Sequence, residues 1–407
     1  MLYRTVTLLF CNLVVVTQVL AQSGQQSNFT TLIGQNTSQR AVRSAVPFLT
    51  IAPDARSTGM GEVGVATKSD VNDIYWNPAK LAFLENKASF SFAQTPWLQI
   101  LTEGIYLYHL TGSYKVSKNQ SMGIAVRYFD LGDMDFVNGA GQISQQVSPR
   151  EFAISFAYAR KLSSHFSAAV SGRFIHSNVT ADVLSATQLH NAPSSSGSGD
   201  ISIYYRNDGN IGAVPINWSI GTHVSNIGPK IAYGNNAFRD FIPTNVRLGT
   251  SVDFYFDALQ TLTIGVDFNK LMVPTPPAVD EEGVIIGGSS SQDKPVIRGI
   301  VESFADAPEG LREELQEITW AVGLEYWYDK TVAARMGYFS ENRSKGDRKF
   351  FTLGMGFRYK AVQIDASYIL TAQYNHPLSD TFRVGMIVSF GDTKPSPERS
   401  TIDDNDD

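Results

Sequence analysis

Apolar and polar or small residues alternate with a period of two along most of this chain. In residues 246–256, "VRLGTSVDFYF", Val246 and Leu248 lie on one face and Arg247 and Gly249 on the other. Successive side chains of a β-strand point to opposite sides of a sheet, so this alternation predicts a strand with one apolar face. No stretch of 18 uninterrupted apolar residues occurs, so the sequence contains no candidate transmembrane helix.

Fourteen segments follow this pattern, and their connections alternate in length. Three of the connections are only "DALQ", Lys330 and "KA", whereas those between them are long and polar. An even number of antiparallel strands, with short turns on one side and long loops on the other, is typical of outer-membrane barrels, whose short turns face the periplasm. The predicted strands are 88–94, 102–115, 120–129, 150–161, 166–176, 200–206, 216–226, 245–256, 261–269, 319–329, 331–339, 349–359, 362–371 and 380–390.

The face opposite the apolar one is made of Gly, Ala and Ser with isolated charges. A soluble β-sandwich would instead carry an outer face rich in Lys, Glu and Thr. Charged residues form only 18% of the chain, below the roughly 25% of soluble proteins. The sequence therefore predicts an all-β fold, a 14-stranded antiparallel transmembrane β-barrel spanning residues 88–390 whose apolar face contacts outer-membrane lipid. The charges expected in its lumen are Arg127, Arg173, Asp253, Asp267, Glu325, Arg358, Asp365 and Arg383.

The two ends of the chain lie outside the barrel pattern. Residues 1–21 have a short basic start, an apolar run and small residues before Ala21, which predicts a cleaved signal peptide. Cys11 lies in this segment, so the mature chain is expected to lack thiols and disulfides. Residues 22–44 are polar and are predicted to be disordered, and residues 391–407 form an acidic tail. The net charge of −6, without a cluster of Lys or Arg, indicates no nucleic-acid partner.

Residues 45–87 show no sustained alternation and contain the stretch "DIYWNPAKLAF". Asn77 can cap its own turn, Pro78 fixes the backbone, and Tyr75 and Trp76 supply bulk ahead of Ala79. A barrel of fourteen strands is too wide for its own wall side chains to fill. We therefore predict that residues 45–87 form a plug in the lumen, with Tyr75 to Ala79 as its central element.

No motif in the chain indicates catalysis, a cofactor or a metal. Gly59, Gly61 and Gly64 satisfy G-x-G-x-x-G, but a dinucleotide site needs a strand before the motif and a helix after it. The glycines are better explained by close backbone packing in a narrow space. The six histidines lack ligand spacing, and no Gly-x-Ser-x-Gly is present. The protein is accordingly predicted not to be an enzyme.

The longest predicted loop, residues 270–318, begins with the apolar and proline-rich "KLMVPTPPAV". Near its end, Leu311, Leu315 and Ile318 share one helical face. Loops of this length on a compact body are usually functional or disordered. Exposed apolar groups on a backbone stiffened by proline favour protein binding. The predicted partner-binding residues are Met272, Val273, Pro274, Pro276 and Pro277.

The stretch "APDARSTGMGEVGVATKSDVNDIYWNPAKLAF" resembles the N-terminal signature of the FadL-like superfamily. With the "FLTIAPDAR" lead-in, the fourteen strands and the late long loop, residues 45–390 are most similar to the PorV family of the type IX secretion system. The acidic tail departs from barrels that end at their last strand.

The resemblance implies an outer-membrane barrel whose N-terminal segment folds into the lumen. It further implies binding of the C-terminal signal domains of secreted cargo, and association with a SprA-type translocon and a PorU-type attachment enzyme. Two alternatives stay open: a FadL-type channel for hydrophobic small molecules, and a structural PorQ-like subunit of the attachment complex.

Overall fold

Fourteen antiparallel strands form a closed barrel in the computed structural model, which describes residues 41–99, 104–137, 143–178, 193–233, 238–279, 285–288, 294–372 and 376–391. Each strand pairs with its neighbours along the chain, and β1 closes the barrel by pairing with β20. The predicted fold is confirmed. The barrel strands are β1 (Ala88–Pro96), β2 (Tyr106–Ser117), β3 (Gln120–Asp130), β6 (Arg150–Lys161), β7 (Phe166–Ser177), β8 (Ser194–Ile211), β9 (Val214–Ile227), β12 (Asn245–Tyr255), β13 (Gln260–Leu271), β16 (Thr319–Tyr328), β17 (Val332–Ser340), β18 (Lys349–Tyr359), β19 (Val362–Thr371) and β20 (Phe382–Phe390).

The two ends of the barrel differ in their connections, as the sequence predicts. At one end β2 and β3, β8 and β9, and β18 and β19 are each joined by two residues. At the other end the connection between β3 and β6 spans 131–149 and that between β13 and β16 spans 272–318. By the usual arrangement of outer-membrane barrels, the end with tight turns is periplasmic and the other extracellular.

The barrel wall alternates between an apolar outer surface and an inner surface of small or charged side chains. Phe156 and Met355 on the outer surface are 61% and 66% exposed, as expected for side chains that meet lipid. Of the eight charges predicted for the lumen, Arg173 is half-buried and Arg358 is exposed at the periplasmic end. The six that are buried are Arg127, Asp253, Asp267, Glu325, Asp365 and Arg383.

The segment before β1 lies inside the barrel, where strands surround it. Its apolar residues form two clusters with the wall, one with Phe48, Met60 and Val63 and the other with Ile74 and Leu81. Burial of these side chains supplies the main favourable free energy for holding the segment in place. Its helical elements are Pro47–Thr50, Ala55–Gly59, Asp73–Trp76 and Pro78–Phe83.

Short elements cover the extracellular end. None of them was predicted apart from the helical face near residue 311, because two- to five-residue strands leave little periodic signal. Among the described residues, no helix has the length and apolar character needed to cross a membrane. The small strands are β4 (Met134–Val137), β5 (Ile143–Val147), β10 (Ile231–Tyr233), β11 (Phe238–Asp240), β14 (Ala278–Val279) and β15 (Ile285–Gly287), and the helices are Val296–Glu302, Leu311–Gln316 and the 3-10 turn Arg343–Lys345.

Two differences from the predicted boundaries are informative. Ala41 and Val42, assigned to a disordered extension, are only 1% and 6% exposed, so the packed segment already includes residue 41. Strand β8 begins at Ser194 rather than at residue 200. The predicted signal peptide 1–21 with Cys11, most of the extension and residues 392–407 of the tail lie outside the described residues.

Candidate functional site

Asn77 sits at the centre of the plug and is fully buried. Its Oδ1 accepts a hydrogen bond from Ala79 N at 3.1 Å, which caps the 3-10 helix that starts at Pro78. Its Nδ2 donates to the carbonyl oxygens of Val65 and Ile203, each at 3.0 Å. Since Ile203 belongs to β8, this one side chain joins the turn to the rest of the plug and to the barrel wall.

Tyr75 and Trp76 fix the plug against the wall above this turn. The Tyr75 ring centroid lies 4.8 Å from the guanidinium carbon of Arg127 and 4.6 Å from that of Arg247. Cations at these distances are attracted by the ring electrons. Trp76 donates from Nε1 to Asp54 Oδ1 at 2.5 Å within the plug. Arg127 and Arg247 of the barrel wall therefore both contact the aromatic ring of Tyr75.

The glycines of the G-x-G-x-x-G motif lie where the plug backbone touches other groups. Gly61 has φ +74°, and a Cβ on it would lie 2.6 Å from Tyr338 N. A Cβ on Gly337 of β17 would lie 2.1 Å from Gly61 N. Two backbones approach at this point without side chains between them, which only glycine allows. The glycines of this motif serve close backbone packing here.

Buried ion pairs connect the plug to the wall strands β16, β17 and β19. Arg56 Nε and Nη2 donate to the two carboxylate oxygens of Glu325 at 2.9 and 2.8 Å, and Arg56 Nη1 lies 2.7 Å from Asp70 Oδ2. Glu325 also accepts from Arg335 Nε at 2.7 Å, and Arg335 lies 2.8 Å from Asp365. Removing one partner of such a pair is strongly destabilising, because the other charge is left buried without a partner.

A cavity of about 60 Å³ lies between the plug and the wall strands β12, β13, β16 and β17. Glu62, Arg247, Asp267, Asn269 and Arg348 line it together with Trp76 and Trp320. Glu62 has φ +71°, and burial raises the pKa of its carboxyl while the charges of the nearby arginines lower it. The space suits a few water molecules rather than an extended apolar molecule.

The predicted partner-binding residues at the start of the long loop lie under other parts of the chain. Met272 and Val273 are 5% and 2% exposed, and Pro274 is also buried. Met272 N donates to Thr244 O at 2.7 Å, and Val273 packs with Val42 and Phe241. Pro276 and Pro277 are half-buried. The expectation that Met272 and Val273 are exposed is therefore wrong, because the chain turns inward after β13 and covers the barrel mouth.

A buried cluster of charges holds the other half of this loop. Lys270 Nζ lies 3.0 Å from Glu314 and 2.5 Å from Glu317, and Lys345 Nζ lies 2.6 Å from Glu313 and 2.9 Å from Glu317. The carboxylates all come from the helix Leu311–Gln316 or the residue that follows it. Its polar face is thus turned towards the protein.

The apolar face of the same helix is consequently exposed. Leu311 and Leu315 are 74% and 60% exposed, as are Ile297 and Val301 of the preceding helix at 68% and 66%. Phe304 between the helices is 51% exposed, and its ring lies 5.9 Å from Lys270 Nζ. We call Ile297, Val301, Phe304, Leu311 and Leu315 the apolar loop face. The sequence signal for this face is the i, i+4 spacing of Leu311 and Leu315.

The fold and the alternation of its wall define the class of the protein, an outer-membrane β-barrel with an internal plug. The family model for "Type IX secretion system protein PorV" matches residues 34–278. The chain therefore belongs to the PorV family of type IX secretion system proteins and resides in the outer membrane. The match ends before the apolar loop face.

No curated protein matches the chain. Solved structures with a similar barrel include the toluene transporter TbuX of Ralstonia pickettii, with 10% identity, 83% of this chain and 98% of that chain covered, and a TM-score of 0.47. The toluene transporter TodX of Pseudomonas putida has 10% identity, coverage of 86% and 98%, and a TM-score of 0.45. A FadL homologue of Pseudomonas aeruginosa has 10% identity, coverage of 87% and 100%, and a TM-score of 0.44.

Proposed function

We propose that this barrel binds the C-terminal signal domains of exported cargo at the cell surface. In this proposal it receives the cargo from a SprA-type translocon and passes it to a PorU-type attachment enzyme. Membership of the PorV family supports a role in the type IX secretion system. The observation that carries the proposed binding is the apolar loop face, five large apolar side chains exposed beyond the barrel wall.

The apolar loop face is suited to a specific contact because its base is rigid. Glu314 and Glu317 fix the helix Leu311–Gln316 through Lys270, so less conformational entropy is lost when a partner binds. Burying a large apolar side chain contributes about 1.5–3 kcal/mol. Five of them provide about 7.5–15 kcal/mol of gross free energy, from which association costs of about 4–15 kcal/mol must be subtracted. The remainder is small, as a complex that must release its partner requires.

The interior of the barrel gives less support to a channel for hydrophobic small molecules. The lumen wall carries buried charges such as Arg127 and Glu325, both held in bonds to the plug. The cavity of about 60 Å³ beside the plug is small, and charged groups such as Arg247 and Asp267 line it together with apolar ones. Apolar ligands favour large pockets lined by apolar and aromatic side chains.

The test replaces exposed apolar groups without disturbing the base of the loop. In the double variant L311Q/L315Q we expect normal barrel levels and normal heat-modifiable migration, because both side chains are exposed. Release of cargo to the surface should fall by about tenfold or more, since each 1.4 kcal/mol of lost affinity is a factor of ten. Unprocessed cargo should accumulate in the periplasm.

Arg312→Gln is the matched control, since Arg312 is exposed on the same helix turn and should leave secretion unchanged. Met272→Asp is unsuitable as a test variant, because it would place a charge among the buried residues at the start of the loop. If L311Q/L315Q and I297Q/V301Q both secrete normally, the proposal fails. Loss of hydrophobic nutrient uptake with normal secretion would favour the channel instead.

A further inference from the structure

Cations surround the stretch 83–87, where the plug leaves the lumen and joins β1 at the periplasmic end. Lys161 Nζ lies 4.6 Å from the centroid of the Phe83 ring, and the guanidinium carbon of Arg206 lies 4.4 Å from it. Lys115 Nζ donates to the carbonyl of Leu84 at 2.6 Å. Lys87 Nζ donates to the carbonyl of Lys115 at 2.8 Å. We call Lys87, Lys115, Lys161 and Arg206 the basic mouth.

The positive charges of the basic mouth are only partly balanced nearby. Within the described residues none of the four forms an ion pair, and the carboxylate whose charge acts on Lys115 and Lys161 is that of the exposed Glu85. Lys115, Lys161 and Arg206 are half-buried, so they have lost part of their hydration. Partly desolvated like charges at one place are stabilised by an anion that binds to them.

The chain leaves the barrel beside this cluster. The last residue of β20, Phe390, pairs with Ala88, and Gly391 packs so tightly on Lys87 that a Cβ at 391 would lie 2.4 Å from the Lys87 Cβ. The described structure ends there. The next sixteen residues therefore start at the rim of the basic mouth.

These sixteen residues, 392–407, carry opposite charge. They contain six acidic and two basic side chains, which gives a net charge of −4. Four of the acids lie together at Asp403, Asp404, Asp406 and Asp407. We propose that the tail folds back across the periplasmic end of its own barrel and that the carboxylates of 403–407 bind the basic mouth.

The length of the tail is sufficient for this contact. Lys161 lies on β6, the fourth strand from β20 around the wall, and Arg206 on β8, the sixth. Strands are about 4.8 Å apart, so these positions are about 19 and 29 Å away along the wall. The twelve residues from 391 to 403 span up to about 40 Å when extended. The bound tail would cover Phe83, the last residue of the plug helix.

The proposal is tested on the full chain purified in neutral detergent, with a zero-length reagent that joins carboxylates to lysine amines. Mass spectrometry should find links from residues 403–407 to Lys161 within one chain. The yield should fall at least severalfold in about 0.5 M salt, which screens exposed charges. Arg206→Gln should lower the yield at least twofold. Arg160→Gln is the control, since it removes the same charge from the exposed residue next to Lys161.

Three results would overturn the proposal. One is the absence of links to Lys161, or links that occur only between two chains. Another is a yield that is unchanged by Arg206→Gln or lowered equally by Arg160→Gln. A third is a link that is present in neutral nanodiscs and lost in phosphatidylglycerol nanodiscs of the same ionic strength, which would assign the basic mouth to lipid phosphates.

Discussion

Replacing Asn77 by alanine should loosen the plug while the barrel stays intact. Alanine removes the Nδ2 donor that the carbonyls of Val65 and Ile203 share, each now bonded at 3.0 Å. Ala79 N keeps a partner, because Ser202 Oγ also accepts from it at 3.1 Å. Each buried polar group that loses its partner costs about 1–3 kcal/mol, so the loss of both bonds should weaken the plug by about 2–6 kcal/mol. That raises the fraction of displaced plug by about 30-fold or more.

Single-channel conductance in planar bilayers measures how often the plug is displaced, because a displaced plug opens the lumen to ions. The Asn77→Ala protein should show frequent openings that the unaltered protein lacks. Pro78→Ala is the matched control, since Pro78 lies next in the chain and has no side-chain hydrogen bond to lose; about 0.4–1 kcal/mol is expected. Gly221→Ala tests the same contact from the wall, because its Cβ would lie 2.6 Å from Asn77 Nδ2. It should therefore resemble Asn77→Ala.

The reasoning would be refuted if Asn77→Ala and Pro78→Ala conducted alike, or if both were as quiet as the unaltered barrel. In either case the hydrogen bonds of Asn77 would not be what holds the plug. A barrel that failed to assemble would be detected beforehand by heat-modifiable migration.

Three further predictions concern other contacts. Gly337→Ala should displace the plug and raise conductance, because its Cβ would meet the backbone of Gly61; an unchanged conductance would contradict the packing. Glu317→Gln should weaken the loop by about 3 kcal/mol, since two buried lysines lose a charged partner, and hydrogen exchange of residues 294–318 should accelerate. Burial lowers the pKa of His376 to about 4. The unfolded chain binds this proton near pH 6.5, whereas the folded protein binds it only near pH 4. The free energy of unfolding should therefore decrease as the pH is lowered from about 6.5 to about 4, and acid unfolding of His376→Gln should show a smaller decrease.

The barrel was predictable because its wall obeys one local rule. Every strand exposes one face to lipid and the other to the lumen, so residues such as Leu248 and Gly249 alternate in polarity. The rule is weakest where that contrast is absent. The first residues of β8, from Ser194, are mostly Ser and Gly and carry no apolar side chains to mark an outer face.

The surface of the loop was harder to predict because hydrophobicity does not state which side of a loop is covered. Met272 and Val273 are apolar and lie under other parts of the chain, whereas Leu311 and Leu315 are equally apolar and exposed. The difference arises from tertiary ion pairs, in which Lys270 draws the acidic face of the helix inward. Such pairs join residues more than forty positions apart and leave no periodic signal.

The contact between the apolar loop face and cargo is the central functional claim, and site-specific photo-crosslinking in secreting cells tests it most directly. A photoreactive side chain placed at Leu315 should capture a tagged C-terminal cargo domain. The same group at Leu353, an outward residue of β18 that is 46% exposed on the barrel wall, should not. Capture at neither position while secretion continues, or equal capture at both, would contradict binding at the apolar loop face.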